Sequence, residues 1–510
     1  MRLAELIGEA GRATPEISGG SMEITGLTAD SREVRPGYLF AALPGVQDDG
    51  ARFIADAIKR GAAAILLPPQ IAEKCKGTAP DNQICLIPDI NPRRRYAYLS
   101  ARYYAEQPET IIAVTGTNGK TSVADFCRQI WLRLARRAAS IGTLGIIGKN
   151  PCAVAAGDGA GEAHVHTTPP PEILYPSLAR LHDEGITHVA LEASSHGLAQ
   201  YRLDGVRLRA AALTNITRDH MDYHDSLASY TYAKLRLFGE VLPPGGVAVL
   251  NREDASYSEA EALCWARGHR IISIGGRYGD LRIASSELHM RGQRLRIAFE
   301  SREWEVDLPL IGRFQALNAL TAAALTIGCG EDPDDVFGSL PELKGAPGRM
   351  QMVGQTPSGA GVLVDYAHTP EALRTVLAAV RPFCKGRLHV LFGCGGDRDR
   401  GKRPLMGAVA GELADQIIIT DDNPRSEDPA AIRAAILAGC AGATEIAGRG
   451  TAIRFAVANL LPDDMLIAAG KGHEQGQEIA GVITPFNDHQ EILQALEELA
   501  QTGTGHGAKQ

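Results

Sequence analysis

The densest concentration of chemically capable residues is AVTGTNGKTS, over 113–122. A buried-strand pattern, TIIAVTG (110–116), runs into a glycine-rich turn and on into KTSVADFCRQIWLRLA, which reads as a helix. Such a turn aims backbone N–H groups at phosphate oxygens, at a helix N-terminus that carries partial positive charge. Lys120 is placed to reach the β- and γ-phosphates of a nucleoside triphosphate, and the Thr121 hydroxyl to ligate Mg²⁺. Position 114 is valine, so the usable glycines are Gly116 and Gly119. Candidate ATP contacts are therefore Gly116, Thr117, Asn118, Gly119, Lys120, Thr121 and Ser122. Glu192 and His196 lie four apart, just past the strand pattern ITHVALEA (186–193). A carboxylate and an imidazole there can complete a metal shell that phosphates and Thr121 begin; a helix-capping pair has the same spacing. Asn215 ends RAAALTNI (209–216), at the strand rim where ligands bind in α/β sheets.

These residues need strands and helices in alternation to hold them. Residues 1–108 carry short strand signals and one helix-strand unit, FIADAIKRG (53–61) followed by AAAILLP (62–68). The RRR run at 93–95 reads as the solvated start of a helix. Residues 109–342 alternate buried strands with helical patterns, which predicts βαβ units and a mostly parallel sheet. After residue 280 short alternating runs predict an antiparallel hairpin set, and ALNALTAAALTIG (316–328) a closing helix. Residues 343–495 repeat the alternation in a doubly wound pattern. The expectation is an α/β protein of three domains: an N-terminal domain over 1–108, a central P-loop mononucleotide-binding parallel sheet over 109–342 and a C-terminal Rossmann-like, doubly wound domain over 343–495. Residues 496–510 are expected to form a disordered tail.

Composition narrows the classes. At roughly 150 residues per domain, 510 residues suit three domains. A net charge of -8 and 5% aromatics argue against a broad nucleic-acid surface. Nine scattered cysteines without a CxxC suit free thiols in a reducing compartment. The N-terminus has neither the basic start nor the apolar run of a signal peptide, and no apolar run reaches membrane-spanning length. A soluble cytoplasmic protein is expected.

The 113–122 loop resembles the T-G-T-N-G-K-T signature of the Mur ligase family, the ATP-dependent amide ligases of peptidoglycan precursor synthesis. Taken alone it is equally similar to the loop of folylpolyglutamate synthetases. Further motifs follow in family order over residues 25–490. In LEASSHGLAQYRL (191–203) the matching Glu192 and His196 would hold magnesium with Thr121, and Ser195, Gln200 and Arg202 would contact the muramoyl-peptide. Thr167, Thr168 and Pro169 resemble the T-T-P substrate loop, although Pro170 and Pro171 depart from its usual continuation. The run RDHMDYH (218–224) resembles R-D-H-x-D-x-H and makes His220 a catalytic candidate. Lys234 matches a lysine carried as a carbamate; adding CO₂ to a neutral amine turns a cation into an anion that can orient Mg²⁺. In IGRFQALNALTAAA (311–324), Asn318 would face adenine. Gln315 stands where the family has asparagine, so that role is not carried over. Arg349, Asp365 and His368 match nucleotide-contacting positions, with Tyr366 in the same D-Y-x-H run.

Asp422, Asn423, Pro424 and Arg425 match the D-N-P-R signature of the diaminopimelate-adding branch. Arg425 can grip a distal carboxylate bidentately. Arg398, Gly470 and Glu474 also match, with Glu474 suited to the distal ammonium. L-Lysine lacks that carboxylate and would leave Arg425 unpaired, at a cost of about 3–5 kcal/mol. The turn Asp30, Ser31, Arg32 resembles the part that meets the UDP end, with Ser31 as the contact. The resemblance implies an ATP-dependent amide-bond ligase that forms ADP and phosphate and uses Mg²⁺. Its substrates would be UDP-MurNAc-L-Ala-D-Glu, meso-2,6-diaminopimelate and ATP, in cell-wall biogenesis. Neither a nucleic-acid partner nor a membrane span is expected, and a monomer is. The alternatives are an L-lysine-adding or folylpolyglutamate-type ligase, or a non-catalytic nucleotide-binding protein on the same scaffold.

Overall fold

The computed structural model describes residues 1–8, 22–45, 49–75, 84–148, 166–217, 219, 221, 223–289 and 292–504, with side chains through 501. The chain divides into two compact units, Met1–Leu281 with Thr321–Val336, and Arg282–Leu320 with Phe337–Gln510.

The first unit opens on a four-stranded parallel sheet: β1 (Gly26–Thr28), β2 (Tyr38–Ala41), β3 (Ala64–Leu67) and β4 (Cys85–Pro88), in sequential order. The helix Pro92–Tyr104 follows. Asn91 caps it by accepting from the Arg94 N–H, and Pro92 sits at a first-turn position where no N–H is needed. The arginine run is engaged rather than solvated. Arg93 Nη2 donates to Pro44 O at 2.6 Å, Arg95 Nη2 to Ile7 O at 3.0 Å, and Arg94 Nε lies 2.9 Å from Asp204. Long arginines whose stems lie on apolar surface can still place their heads on carbonyls and carboxylates.

Next come β5 (Thr110–Thr115), β6 (Ala138–Gly142), β7 (Gly145–Ile147), β8 (His188–Glu192), β9 (Leu208–Leu213), β10 (Val247–Asn251) and β11 (Arg270–Ile274). Their spatial order is β11-β10-β9-β5-β8-β6-β7. Every pair is parallel except β6–β7. All six residues of β5 are buried, as expected of a strand covered on both faces. β5 therefore delivers its C-terminal end, and the glycine-rich turn after it, to the middle of the sheet.

The second unit holds β12 (Leu281–His289, entering from Arg282), β13 (Gly292–Phe299) and β14 (Arg302–Leu308); β13 and β14 pair antiparallel, as the alternating runs predict. Its main sheet contains β15 (Gln351–Gln355), β16 (Gly361–Asp365), β17 (Leu388–Phe392), β18 (Gln416–Ile419), β19 (Thr444–Glu445) and β20 (Met465–Ala469). The order is β15-β16-β20-β17-β18-β19, parallel except for β15–β16. That is the doubly wound arrangement. A hairpin, β21 (Gly476–Ile479) and β22 (Val482–Pro485), follows.

The tail boundary requires correction. The last helix runs Asp488–Thr504, so residues 496–504 continue it. Ile492 and Ala495 are buried in the core, and Leu496 and Leu499 pack against it, a spacing that keeps one apolar stripe inward. Residues 505–510 of the expected tail lie outside the described residues. Among the described residues no helix is long and apolar enough to cross a membrane, and the eight cysteines are free thiols.

Candidate active site

The phosphate loop forms as its sequence predicts. Gly116 (φ 145°) and Gly119 (φ 88°) occupy positive-φ conformations that favour glycine, and the helix Lys120–Arg133 begins directly after Gly119. A Cβ on Gly116 would collide with Thr214 Oγ1. Lys120 Nζ donates to Gly116 O at 2.9 Å and Thr117 O at 2.8 Å, folding its ammonium over the loop. Asn215 fixes the loop from β9, with its Oδ1 accepting from Asn118 N at 3.0 Å and its Nδ2 donating to Asn118 O. Thr117 Oγ1 bonds to Tyr230 Oη at 3.0 Å.

Glu192 stands at the end of β8 with only 2% exposure. Its Oε2 accepts from Thr121 Oγ1 at 3.0 Å and Thr143 Oγ1 at 3.1 Å, and its Oε1 from Thr143 N at 2.8 Å. These hydrogen-bond partners are all neutral. A buried carboxylate joined to a P-loop hydroxyl, with no cation bonded to it among the described residues, suits a hard divalent cation. Gly142 permits this approach, because a Cβ there would strike the Glu192 carboxylate. The His196 ring lies against Tyr223, with centroids 4.0 Å apart and planes tilted by 40°. Among the described residues no three His, Cys, Asp or Glu side chains are grouped to hold a metal. His220 lies outside the described residues.

Lys234 is 1% exposed on the helix Leu227–Arg236. Its Nζ donates to Gly116 O at 2.7 Å, the same carbonyl that receives Lys120. Burial, and then the nearby Lys120 charge, hold its pKa well below the ordinary lysine value. The amine is thereby biased toward its neutral form.

The expected substrate loop joins this cluster. Thr168 Oγ1 donates to Glu192 O at 2.7 Å, Thr167 Oγ1 bonds to Thr143 Oγ1 at 3.0 Å, and Arg202 Nη1 donates to Thr168 O at 2.5 Å. Arg202 Nη2 also holds Gln200 Oε1 at 2.8 Å, and Gln200 Nε2 donates to Tyr223 Oη at 3.1 Å. Ser195 is buried, and its hydroxyl makes no hydrogen bond among the described residues. Ser31 lies in a short 3₁₀ turn capped by Asp30, whose carboxylate is bound by Arg32 at 2.6 Å.

In the second unit Asn318 Nδ2 donates to Gln315 Oε1 at 3.1 Å, and Gln315 Nε2 to Arg349 O at 3.3 Å. Gln315 is thus a buried bridge between two expected nucleotide contacts. The Arg349 guanidinium covers the Tyr366 ring at 4.3 Å. Asp365 is buried and accepts from Met350 N and Ala367 N, both at 2.7 Å, so its carboxylate is engaged by backbone. His368 Nδ1 is hydrogen-bonded with Tyr366 O at 2.9 Å.

The loops Asp422–Arg425 and Gly470–Glu474 meet. Asn423 Nδ2 donates to Glu474 Oε2 at 2.7 Å. Asn423 and Arg425 take φ of 43° and 50°, and Gly470 takes 109°, where a Cβ would collide with Asp422. Pro424 O lies against Gly396, and Arg398 is exposed. Arg425 is already occupied: Nε is 3.2 Å from Glu478 Oε2, and Nη1 donates to Gly396 O at 2.8 Å. The expectation that L-lysine would leave it unpaired is therefore too strong. Glu478 already partly compensates the Arg425 charge.

Sequence reasoning missed Lys471, which is fully buried between Asp422, Asn423 and Glu474. A lysine flanked by glycines at a strand end was the available signal. It also missed Tyr223, although that residue lies inside the RDHMDYH run, and Thr143 and the buried Arg449–Asp488 pair, for which the local sequence offers no signal.

A strand–glycine loop–helix in one unit and a doubly wound sheet in the other define a P-loop α/β protein of the ligase type. The chain belongs to the Mur ligase family. It matches the Mur ligase middle domain over residues 114–326, the Mur ligase glutamate ligase domain over 348–472 and the Mur ligase family catalytic domain over 23–104. A UDP-N-acetylmuramoyl-L-alanyl-D-glutamate–2,6-diaminopimelate ligase from Caulobacter vibrioides is 49% identical, covering 93% of this chain and 96% of that protein. The enzyme of the same name from Bradyrhizobium diazoefficiens is 49% identical, covering 97% and 99%. A solved structure of a ligase with that name is 32% identical with a TM-score of 0.71, covering 98% and 100%.

Proposed function

We propose that the chain is an ATP-dependent ligase that joins meso-2,6-diaminopimelate to the D-Glu γ-carboxylate of UDP-MurNAc-L-Ala-D-Glu. The observation that carries this reading is the junction of the Asp422–Arg425 and Gly470–Glu474 loops, in a chain whose near-full-length relatives bear that activity in their names. Arg425 would receive the distal carboxylate, exchanging it for Glu478, and Glu474 the distal ammonium.

ATP would lie on the loop Gly116–Ser122, with its γ-phosphate under Lys120. A γ-carboxylate oxygen of D-Glu attacks the γ-phosphorus and ADP leaves, giving an acyl phosphate. The amine of the amino acid attacks the acyl carbon and loses a proton, and phosphate leaves. Backbone N–H groups and Lys120 stabilise the charge that develops on the transferred phosphoryl. Thr121 and Glu192 would hold Mg²⁺, with His196 completing the set only if its ring turns from Tyr223. When bound, the ion neutralises phosphate charge. A neutral Lys234 amine can take up CO₂, and the resulting carbamate would add an anion beside the loop. Thr167, Thr168, Ser195, Gln200 and Arg202 would orient the peptide, and Ser31 the UDP end. Asn318, Arg349 and His368 would contact the nucleotide, while Asp365 would anchor Arg349's neighbour Met350.

Phosphate release measured with ATP and UDP-MurNAc-L-Ala-D-Glu tests the reading. Release should depend on diaminopimelate and be far slower with L-lysine. Equal rates with the two amino acids would refute the specificity, and no amino-acid-dependent release would refute the activity.

A further inference from the structure

Lys471 makes up no part of the motif roles above, yet it is 0% exposed. Lysine is almost never fully buried unless paired. Its Nζ donates to Asn423 Oδ1 and to Glu474 Oε2, both at 3.1 Å, and lies 3.7 Å from Asp422 Oδ1. One ammonium thus ties together the two loops of the amino-acid site.

The pattern of occupied atoms is specific. Asn423 Oδ1 accepts from Lys471 Nζ and from Glu478 N at 3.0 Å, while its Nδ2 donates to Glu474 Oε2. The Asn423 side chain is therefore committed to protein partners. Glu474 Oε2 is taken by Asn423 and Lys471, whereas Oε1 makes no hydrogen bond among the described residues. Glu474 is held by one oxygen and presents the other.

Charge points the same way. Beside Lys471 runs Arg449, which is bidentate to buried Asp488 and is also acted on by the charges of Asp422 and Glu474. Two cations, Lys471 and Arg449, face three carboxylates, Asp422, Glu474 and Asp488. Arg425 is paired with Glu478. Arg349 is a further cation here, acting on the same Tyr366 ring as Asp422 and Glu474, so Glu474 sits among charges that the fold itself holds in place.

We infer that Lys471 is a positioning residue for amino-acid specificity: it fixes Asn423 and Glu474 so that Glu474 Oε1 faces the side-chain ammonium of the amino acid. The inference rests on the proposed amino-acid site. Without Lys471, Glu474 loses a charged hydrogen bond and its single orientation, and two carboxylates repel across the site.

The test uses the full chain with wild-type, K471M, E474A and K471M/E474A proteins, recording phosphate release against diaminopimelate, ATP and UDP-MurNAc-L-Ala-D-Glu, together with thermal melting. K471M should raise the diaminopimelate KM at least about tenfold and leave the other two KM values within about twofold. In the E474A background the same change should shift the diaminopimelate KM less than about threefold. An unchanged diaminopimelate KM, equal shifts in all three KM values, or an equal effect in both backgrounds overturns the role. If K471M does not fold, K471Q, which keeps a neutral donor, is judged by the same criteria. Failure of wild-type to use diaminopimelate would refute the underlying activity, which separates that outcome from failure of the lysine's role.

Discussion

Replacing Gly116 by alanine isolates how the phosphate loop is held. Gly116 sits at φ 145°, a region that glycine alone occupies readily, so alanine costs about 1–3 kcal/mol of backbone strain. The new Cβ also strikes Thr214 Oγ1, whose hydroxyl donates to Asn118 O at 2.6 Å and lies 3.3 Å from Thr115 O. Displacing it loses about 1 kcal/mol of hydrogen bonding. The sum, about 2–4 kcal/mol, corresponds to roughly 30- to 1000-fold at 1.36 kcal/mol per factor of ten. Because Gly116 O accepts from both Lys120 and Lys234, the loop cannot relax without moving both lysine side chains. The assay is kcat/KM for ATP by phosphate release, with melting temperature in parallel. G116A should lose activity within that range. G116A/T214A should stay within that range, because removing the Thr214 hydroxyl relieves the collision but leaves the hydrogen bond to Asn118 O and the backbone strain uncorrected. Activity within twofold of wild-type at an unchanged melting temperature would refute the reasoning, and so would complete rescue by T214A.

Other outcomes follow from the same geometry. K120A should abolish ATP-dependent phosphate release without lowering the melting temperature, and full activity would remove the loop's assigned role. R425A should raise the diaminopimelate KM far more than the ATP KM; equal effects would count against the amino-acid site. D488N should destabilise the second unit by about 3–5 kcal/mol in denaturant unfolding, because Arg449, bound to Asp488 at 2.6 and 2.7 Å, keeps a buried charge without its partner. His473, half-buried and near the Arg349 cation, has its pKa pushed down from 6.5 to about 4, by desolvation first and then by the Arg349 charge. The folded state resists a proton that the unfolded chain accepts, so this contribution is complete above about pH 6.5 and is lost as pH falls through about 4. H473Q should flatten that slope, and an unchanged pH profile of stability would show that His473 is not its source.

The phosphate loop was legible because its parts are contiguous. A strand, two positive-φ glycines, a lysine and a helix start lie within a dozen residues, and local backbone geometry alone brings them together. The parallel sheets were legible for a similar reason, since runs such as TIIAVT and MLIAA can only be strands buried on both faces. The helical part of the tail was masked by polar and glycine composition, although Ile492, Ala495, Leu496 and Leu499 carried the stripe that holds it down.

By itself the sequence determined the α/β class, the P-loop and the residues of the diaminopimelate signature. Tertiary structure alone decided their partners. Lys234 reaches Gly116 across 118 positions, Glu192 meets Thr121 across 71, and Lys471 meets Asn423 across 48. Such pairs depend on which strand ends the sheet order sets side by side. Residue type announces what a side chain can do; only packing settles which oxygen it is left holding. Arg425 shows the difference, for its sequence marks a carboxylate grip and its fold has already placed Glu478 there.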